Sequence, residues 1–418
     1  MRMILAVAAL ATLFGCAHDR ATVAGDATAV ADDASASPIA NDARADPTWP
    51  LQPDAYRTTS GAIYVGNLDA RIDEYRRIIA ARDMAVHRVA LAGDLYHRFR
   101  VTGRLSDAEE AMVLLDTAIA ADPAAARAYQ LRGVVRSGFH RFREALDDLD
   151  AAQEHGASAA DLASTRREIA LALGDYAALR GEFDKATDVT PDFYELAHRA
   201  DLRVMHGDLA GATFLYRAAQ TQYRDTNPVP LAWLHVQQGI ALLRFGQVRQ
   251  ARDFFAAAHA RLPQYYLATE HLAECEAALG NTERARELYR EVIAQTGNAE
   301  FLAALSGVER AAGNETDAER LAREAEAGYE ALLETYPGAY AHHAAEFFIE
   351  IGKPERAYAL AQQNLTVRRD IGSWILLATT AVAAGDIPAA CEARARVRAT
   401  GLTPPELDEL APLAERCG

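Results

Sequence analysis

Little in this chain points to a reactive centre. It has four cysteines, Cys16, Cys275, Cys391 and Cys417, and no two form a CxxC pair, which removes zinc-knuckle and thioredoxin-type readings. HExxH, GxSxG and the phosphate-cradling GxxxxGKS/T are absent, so no catalytic residue, cofactor or metal centre is expected. Positive charge is in short supply: 43 Lys and Arg stand against 59 Asp and Glu, for a formal net charge of -16. A chain this acidic is repelled by phosphate backbones, which excludes nucleic acid as an expected partner. The same acidity disfavours docking of the folded body on anionic lipid headgroups. Val and Ile runs are scarce, and alanine, which loses no side-chain entropy in a helix, is abundant. Half of the 418 residues are apolar, too many for one compact core and suited to several domains or an elongated array.

The N-terminus reads as an address. Arg2 supplies a positive charge, and Met3 to Gly15 is an apolar run of about 13 residues, short of the roughly 20 a spanning helix needs. That pattern describes a signal peptide over residues 1–15. The run ends Leu13-Phe14-Gly15-Cys16, which resembles the bacterial lipobox, in which a small residue precedes a cysteine that becomes lipidated. The resemblance implies an acyl anchor on Cys16. Because Ala17 rather than Asp follows, it also implies sorting to the outer membrane, facing the periplasm, with surface exposure an open alternative. Residues 16–55 are rich in Ala, Asp, Ser and Thr without an apolar period and read as a disordered tether. A coil of about 34 residues reaches roughly 30 Å, so the body can stand off the membrane.

The remainder is self-similar. Gln238-Gly239, Phe245-Gly246, Ala251, Phe255, Ala258 and Pro263 are followed at matching offsets by Leu272-Ala273, Gly280, Ala285 and Tyr289. The same skeleton recurs as Tyr129, Gly133, Ala145, Leu149 and Ala152, then as Gly174, Phe183, Ala186 and Pro191, then as Gly207, Ala212, Tyr216 and Ala219. It continues through Gly313 with Ala318 and Ala325, Gly352 with Ala357 and Ala361, and Trp374, Leu377, Ala378, Gly385 and Ala390. An early unit keeps Ala111, Ala118 and Pro123 with a longer expected turn near Val101–Leu105. Small residues let paired helices approach, turn glycines end the first helix of each pair, and the aromatic at Phe255 or Tyr289 fills the space between units.

These residues resemble the tetratricopeptide repeat family from about Asn67 to Leu402. The resemblance implies an all-α fold, a right-handed α-solenoid of about nine helix-turn-helix units over residues 56–402. Its concave groove would hold peptides or partner helices. Residues 403–418 read as a capping helix, with Thr403 as N-cap and Glu406 completing a capping box.

By the resemblance, positions two, five, nine and twelve of each first helix face the groove. They fall on Tyr194 and Asp201, Trp233, Glu270 and Glu274, and His342, Glu346 and Glu350, giving an acidic groove suited to a basic or amphipathic protein or peptide. The competing reading is a solvated acidic face, with Trp233 in the core; Trp374 is read as core. His271 with Glu274, and His343 with Glu346, repeat a His-x-x-Glu spacing. Each pair is two ligands where a firm metal site needs three or four, and the pairs are expected roughly 20 Å apart at helix spacings of about 8–10 Å. Cys391 and Cys417 lie on antiparallel terminal helices, where they either meet in a disulfide, which an oxidising periplasm permits, or remain two thiols out of reach. Cys275 reads as a small core residue. Three classes of function follow: a scaffold recruiting an envelope partner, a structural or self-associating surface component, and an enzyme or small-ligand carrier. The first fits best.

Overall fold

The computed structural model describes residues 57–177, 179 and 191–417. The signal peptide, Cys16 and the whole of the tether therefore lie outside the described residues, as do Phe183 and Ala186. Among the described residues every regular element is helical, and no helix is long and apolar enough to cross a membrane.

Helix α1 (Gly61–Ala81) precedes a series of antiparallel pairs. The pairs are α2 (Ala85–Thr102) with α3 (Leu105–Ala121), and α4 (Ala126–Gly138) with α5 (Phe142–Glu154). Helix α6 (Ala159–Ala172) opens a unit whose second half is not described. Next come α7 (Phe193–Met205) with α8 (Leu209–Gln222), α9 (Pro228–Arg244) with α10 (Val248–Arg261), and α11 (Tyr266–Ala278) with α12 (Thr282–Thr296). The series closes with α13 (Ala299–Ala311) and α14 (Glu315–Thr335), α15 (Pro337–Glu350) and α16 (Pro354–Leu365), and α17 (Ile371–Ala383) and α18 (Ile387–Ala399). This is an all-α solenoid of tetratricopeptide-type helical hairpins.

The local causes repeat with the units. After α9, α11, α13, α15 and α17 a glycine with positive φ turns the chain, and the next residue's N–H reaches back to a carbonyl inside the helix, as Gln247 does to Leu242 at 2.9 Å. Side chains of Asp192, Asn227, Asn298, Asp370 and Asp386 cap helix N-termini. Gly239 permits the closest approach within a pair: a Cβ there would lie 2.6 Å from the Phe255 ring. The turn after α2 differs from expectation. It is two residues long, Gly103 and Arg104, because α2 continues to Thr102.

The superhelix closes on itself. Thr58 Oγ1 accepts from Arg261 Nη1 at 2.8 Å, 203 residues on, and Thr102 O accepts from Gln295 Nε2 at 2.8 Å, 193 residues on. His140 bonds the carbonyl of Gly338 across 198 residues, and the Tyr176 hydroxyl accepts from Ile371 N across 195. Thr403 Oγ1 donates to His206 O across 197. The near-constant offset means that turns at the ends of first helices early in the chain rest on junctions between units later in it. One revolution therefore takes just under 200 residues, and successive revolutions touch. Gly174 and Gly207 show how tightly: a Cβ would lie 2.5 Å from Arg369 O and 2.8 Å from Thr403 O, whereas Gly280 and Gly352, on the free edge, have nothing within 4 Å.

This closure corrects the expected C-terminal helix. Thr403 does not cap; its N–H donates to Met205 O at 3.1 Å and its hydroxyl to His206 O. Glu406 pairs with Arg244, Nη2 to Oε2 at 2.9 Å, instead of completing a capping box. With Pro412 inside it, the segment Pro405–Leu413 is a 3-10 helix. It still covers apolar surface, burying Leu410 and Leu413, and Cys417 is joined to Cys391 with their Cα atoms 5.4 Å apart.

Candidate functional site: the interior of the superhelix

Because the turns touch, residues far apart in sequence face one another across the concave side, and the cavities between them stay partly open to solvent. The concave side holds two neighbouring cavities, of about 440 and about 150 Å³, which share Tyr96, Arg100, Trp233 and Tyr265 as walls.

The larger cavity has an aromatic floor and cationic sides. Tyr194 packs 5.7 Å from Trp233, ring centroid to centroid, and His198 meets the same indole edge-on at 6.4 Å. Arg100, Arg127 and Arg167 enter from α2, α4 and α6, with Asp161, Asp192 and Glu195 also in the lining. Burial pushes the Arg127 guanidinium below its ordinary value, with Asp161 opposing. Burial, reinforced by Arg167, lowers His198 to about 4, so its imidazole is neutral near pH 7. Trp233 is only 2% exposed, and no acceptor among the described residues reaches its indole N–H. An unpartnered donor in the wall of a cavity is what a bound acceptor would satisfy.

The smaller cavity has two carboxylates in its walls as well as Arg100. Glu270 and Glu300 line it from α11 and α13, with His271 and His343 beside them and Phe99, Phe139, Tyr266, Phe301 and Tyr340 as apolar walls. Gln237, 5% exposed, also lines it, and its Nε2 has no partner among the described residues.

Behind this cavity runs a carboxylate–imidazole network. His271 Nδ1 lies 3.0 Å from Glu270 and 3.2 Å from Glu274. Burial works against charge on His271, but the two carboxylates outweigh it and raise its pKa to about 10. His343 Nδ1 lies 3.3 Å from Glu346 and 3.6 Å from Glu300, and in the same balance reaches about 9. Glu346 also faces His342 Nε2 at 3.5 Å; burial alone would raise it, but the two imidazoles hold it down at about 2. Burial raises Glu300, with His343 opposing and Glu270 adding, and raises Glu350 to about 7, with Glu346 adding. Glu270, His271 and Glu274 offer three donor atoms within 4.8 Å of one another, one more than the His-x-x-Glu spacing alone provided. Within that triad His271 Nδ1 lies within hydrogen-bonding reach of both carboxylates.

The expected groove residues thus divide. Tyr194 and Trp233 line the larger cavity and Glu270 the smaller, while Glu274, His342 and Glu346 are packed into the network. Asp201 does not join them. It accepts a hydrogen bond from Tyr216 of the paired helix, and burial pushes its carboxyl up to about 7. The lining is of mixed charge: Arg100, Arg127 and Arg167 share the larger cavity with Asp161, Asp192 and Glu195, and Arg100 also borders the smaller one with Glu270 and Glu300. The reason is that closure brings α2, α4 and α6 opposite α11, α13 and α15. Arg127 and Glu300 are at position two of their helices and Arg167 at position nine, so the positional rule that found Tyr194 reaches them too. Arg100 and Tyr96 carry no such signal. Trp374 is half-buried against the core with the Arg396 guanidinium 5.9 Å above its ring, and Cys275 is buried as a free thiol.

Residues 242–308 match the family model described as tetratricopeptide repeat. No curated protein matches the sequence. Among solved structures, a tetratricopeptide repeat protein from Parabacteroides merdae is 19% identical, with 53% of this chain and 98% of that one covered and a TM-score of 0.28. The P58(IPK) TPR domain is 14% identical over 85% of this chain and 95% of its own, with a TM-score of 0.30. A Rap protein complexed with competence and sporulation factor is 13% identical over 78% and 91%, with a TM-score of 0.41.

Proposed function

We propose that this chain is a non-enzymatic binding scaffold that holds a protein or peptide partner in the interior of its superhelix, and that it works in the cell envelope as a lipoprotein anchored through Cys16 to the outer membrane, facing the periplasm. The observation that carries the binding reading is the larger cavity: aromatic walls at Tyr64, Tyr96 and Tyr194 around an indole N–H left without an acceptor, with cationic groups at its sides. Pockets that combine large aromatic surface with a few orienting polar groups are where binding energy concentrates. The envelope reading rests on the residues Leu13-Phe14-Gly15-Cys16 and the Ala/Asp/Ser-rich stretch after them.

The test is affinity capture from detergent-solubilised envelopes with the intact chain and with Tyr194→Glu. A partner recovered by the first and lost by the second supports the interior as the site. Equal recovery by both transfers the site to the outer face.

A further inference from the structure

We propose that the smaller cavity is a receptor for an alkylammonium group, the side chain of a lysine in a short peptide or flexible protein tail whose free carboxylate end lies towards the arginines of the larger cavity. This rests on the reading of the interior as the partner site and names the partner's chemistry.

Three observations carry it. First, one carboxylate of the smaller cavity is left without a close partner. Glu270 pairs with His271 at 3.0 Å, whereas among the described residues Glu300 is held by His343 Nδ1 alone, at 3.6 Å, and that imidazole lies closer to Glu346; Arg100 stands in the wall shared with the larger cavity. A buried carboxylate without a hydrogen bond is costly, and burial raises the Glu300 carboxyl. Second, the remaining walls are aromatic. Phe99, Tyr266, Phe301 and Tyr340 suit the methylenes of a lysine stem, and aromatic faces attract a cationic head. A hydrated metal ion would gain nothing from those walls, and His271 Nδ1 already lies 3.0 and 3.2 Å from the two carboxylates a metal would need. Third, two of the buried donors left without a partner, Trp233 Nε1 and Gln237 Nε2, stand at and beside the partition between the cavities, where a peptide's main-chain carbonyls would accept from them. Arg127 and Arg167, which line the larger cavity alone, then face the anionic end.

The chain has three tryptophans, so Trp49→Phe with Trp374→Phe leaves Trp233 as the single fluorescent reporter at the partition. That protein, otherwise full length, is titrated with the tetrapeptide Ala-Lys-Ala-Ala, with its norleucine isostere, and with the C-terminally amidated lysine peptide. The lysine peptide is expected to bind at least tenfold more tightly than norleucine, and amidation to weaken it several-fold. Glu300→Gln should erase the lysine preference while leaving the norleucine peptide unchanged. Glu270→Gln serves if circular dichroism shows Glu300→Gln unfolded. Equal affinity for lysine and norleucine, no binding of any of the peptides, or displacement of the lysine peptide by micromolar zinc would overturn the inference. A partner lost from Tyr194→Glu in affinity capture, together with equal lysine and norleucine affinities, would reject the ammonium site and leave the scaffold reading standing.

Discussion

His140 Nδ1 lies 2.8 Å from the carbonyl oxygen of Gly338, 198 residues away in sequence. His140 is the one non-glycine residue with positive φ among the described residues, occupying a turn position where other units place glycine. A carbonyl only accepts, so Nδ1 carries the proton, and burial holds the second ring nitrogen neutral by lowering the pKa well below its ordinary value. One side chain thereby ties two revolutions of the superhelix together.

Closure makes the turn glycines unequal. Gly174→Ala and Gly280→Ala both place a Cβ on a left-handed residue, at roughly 1–2 kcal/mol each. Gly174→Ala also drives that atom into Arg369 O, adding about 1–3 kcal/mol of overpacking, whereas Gly280 faces open space. Urea unfolding midpoints should therefore fall clearly further for Gly174→Ala. Equal losses would mean that the revolutions do not touch in solution.

Within one unit, Gly239→Ala should cost about 1–3 kcal/mol, because the new methyl would lie 2.6 Å from the Phe255 ring. Adding Phe255→Leu should recover part of the loss, which a double-mutant cycle in denaturant reads directly.

The histidine contributions to stability are all present near pH 6.5, while Asp201 and Glu350, raised to about 7, oppose them as pH climbs from 4 to 7. His198 and His235 have folded pKa values depressed to about 4 and about 3, below the unfolded 6.5, so the unfolded chain takes up protons first as pH falls from 6.5 towards those values. That contribution is lost on the acid side. His271 and His343 are raised to about 10 and about 9, so their contribution is complete below 6.5 and is lost as pH rises through 9 and 10. His271→Gln should flatten the alkaline limb of a denaturation series from pH 6 to 10 and leave the acid limb unchanged.

Cys391–Cys417 closes a loop with a sequence separation of 26, for which chain-entropy arguments give about 3–4 kcal/mol at the C-terminal end. In a Cys16→Ser chain under denaturant, Cys275 alone should react before reduction, and Cys275, Cys391 and Cys417 after it. The same Cys16→Ser change should release the protein from the membrane pellet into the soluble periplasmic fraction.

The repeating hairpin was legible in the sequence because its causes are local: turn glycines such as Gly246 and Gly280, small residues such as Ala251 and Ala285, and aromatics such as Phe255 and Tyr289 in register. The interior was legible only in part. Tyr194, Trp233 and Glu270 follow from position along a helix, but whether those positions face an open groove or cavities walled by a second revolution depends on how far each unit rotates against the next. That angle accumulates over many interfaces and is written in no single motif. The same closure redirected Thr403, whose sequence context reads as a helix cap, to contacts with Met205 and His206.

The most direct measurement is photocrosslinking in intact cells, with a benzophenone side chain at Tyr194 in the cavity wall and, as control, at Phe214, which is 51% exposed on a second helix. A discrete adduct at Tyr194 that Phe214 does not give is the expected result. Adducts at Phe214 with none at Tyr194 would contradict a partner held inside the superhelix and place the contact on its outer face.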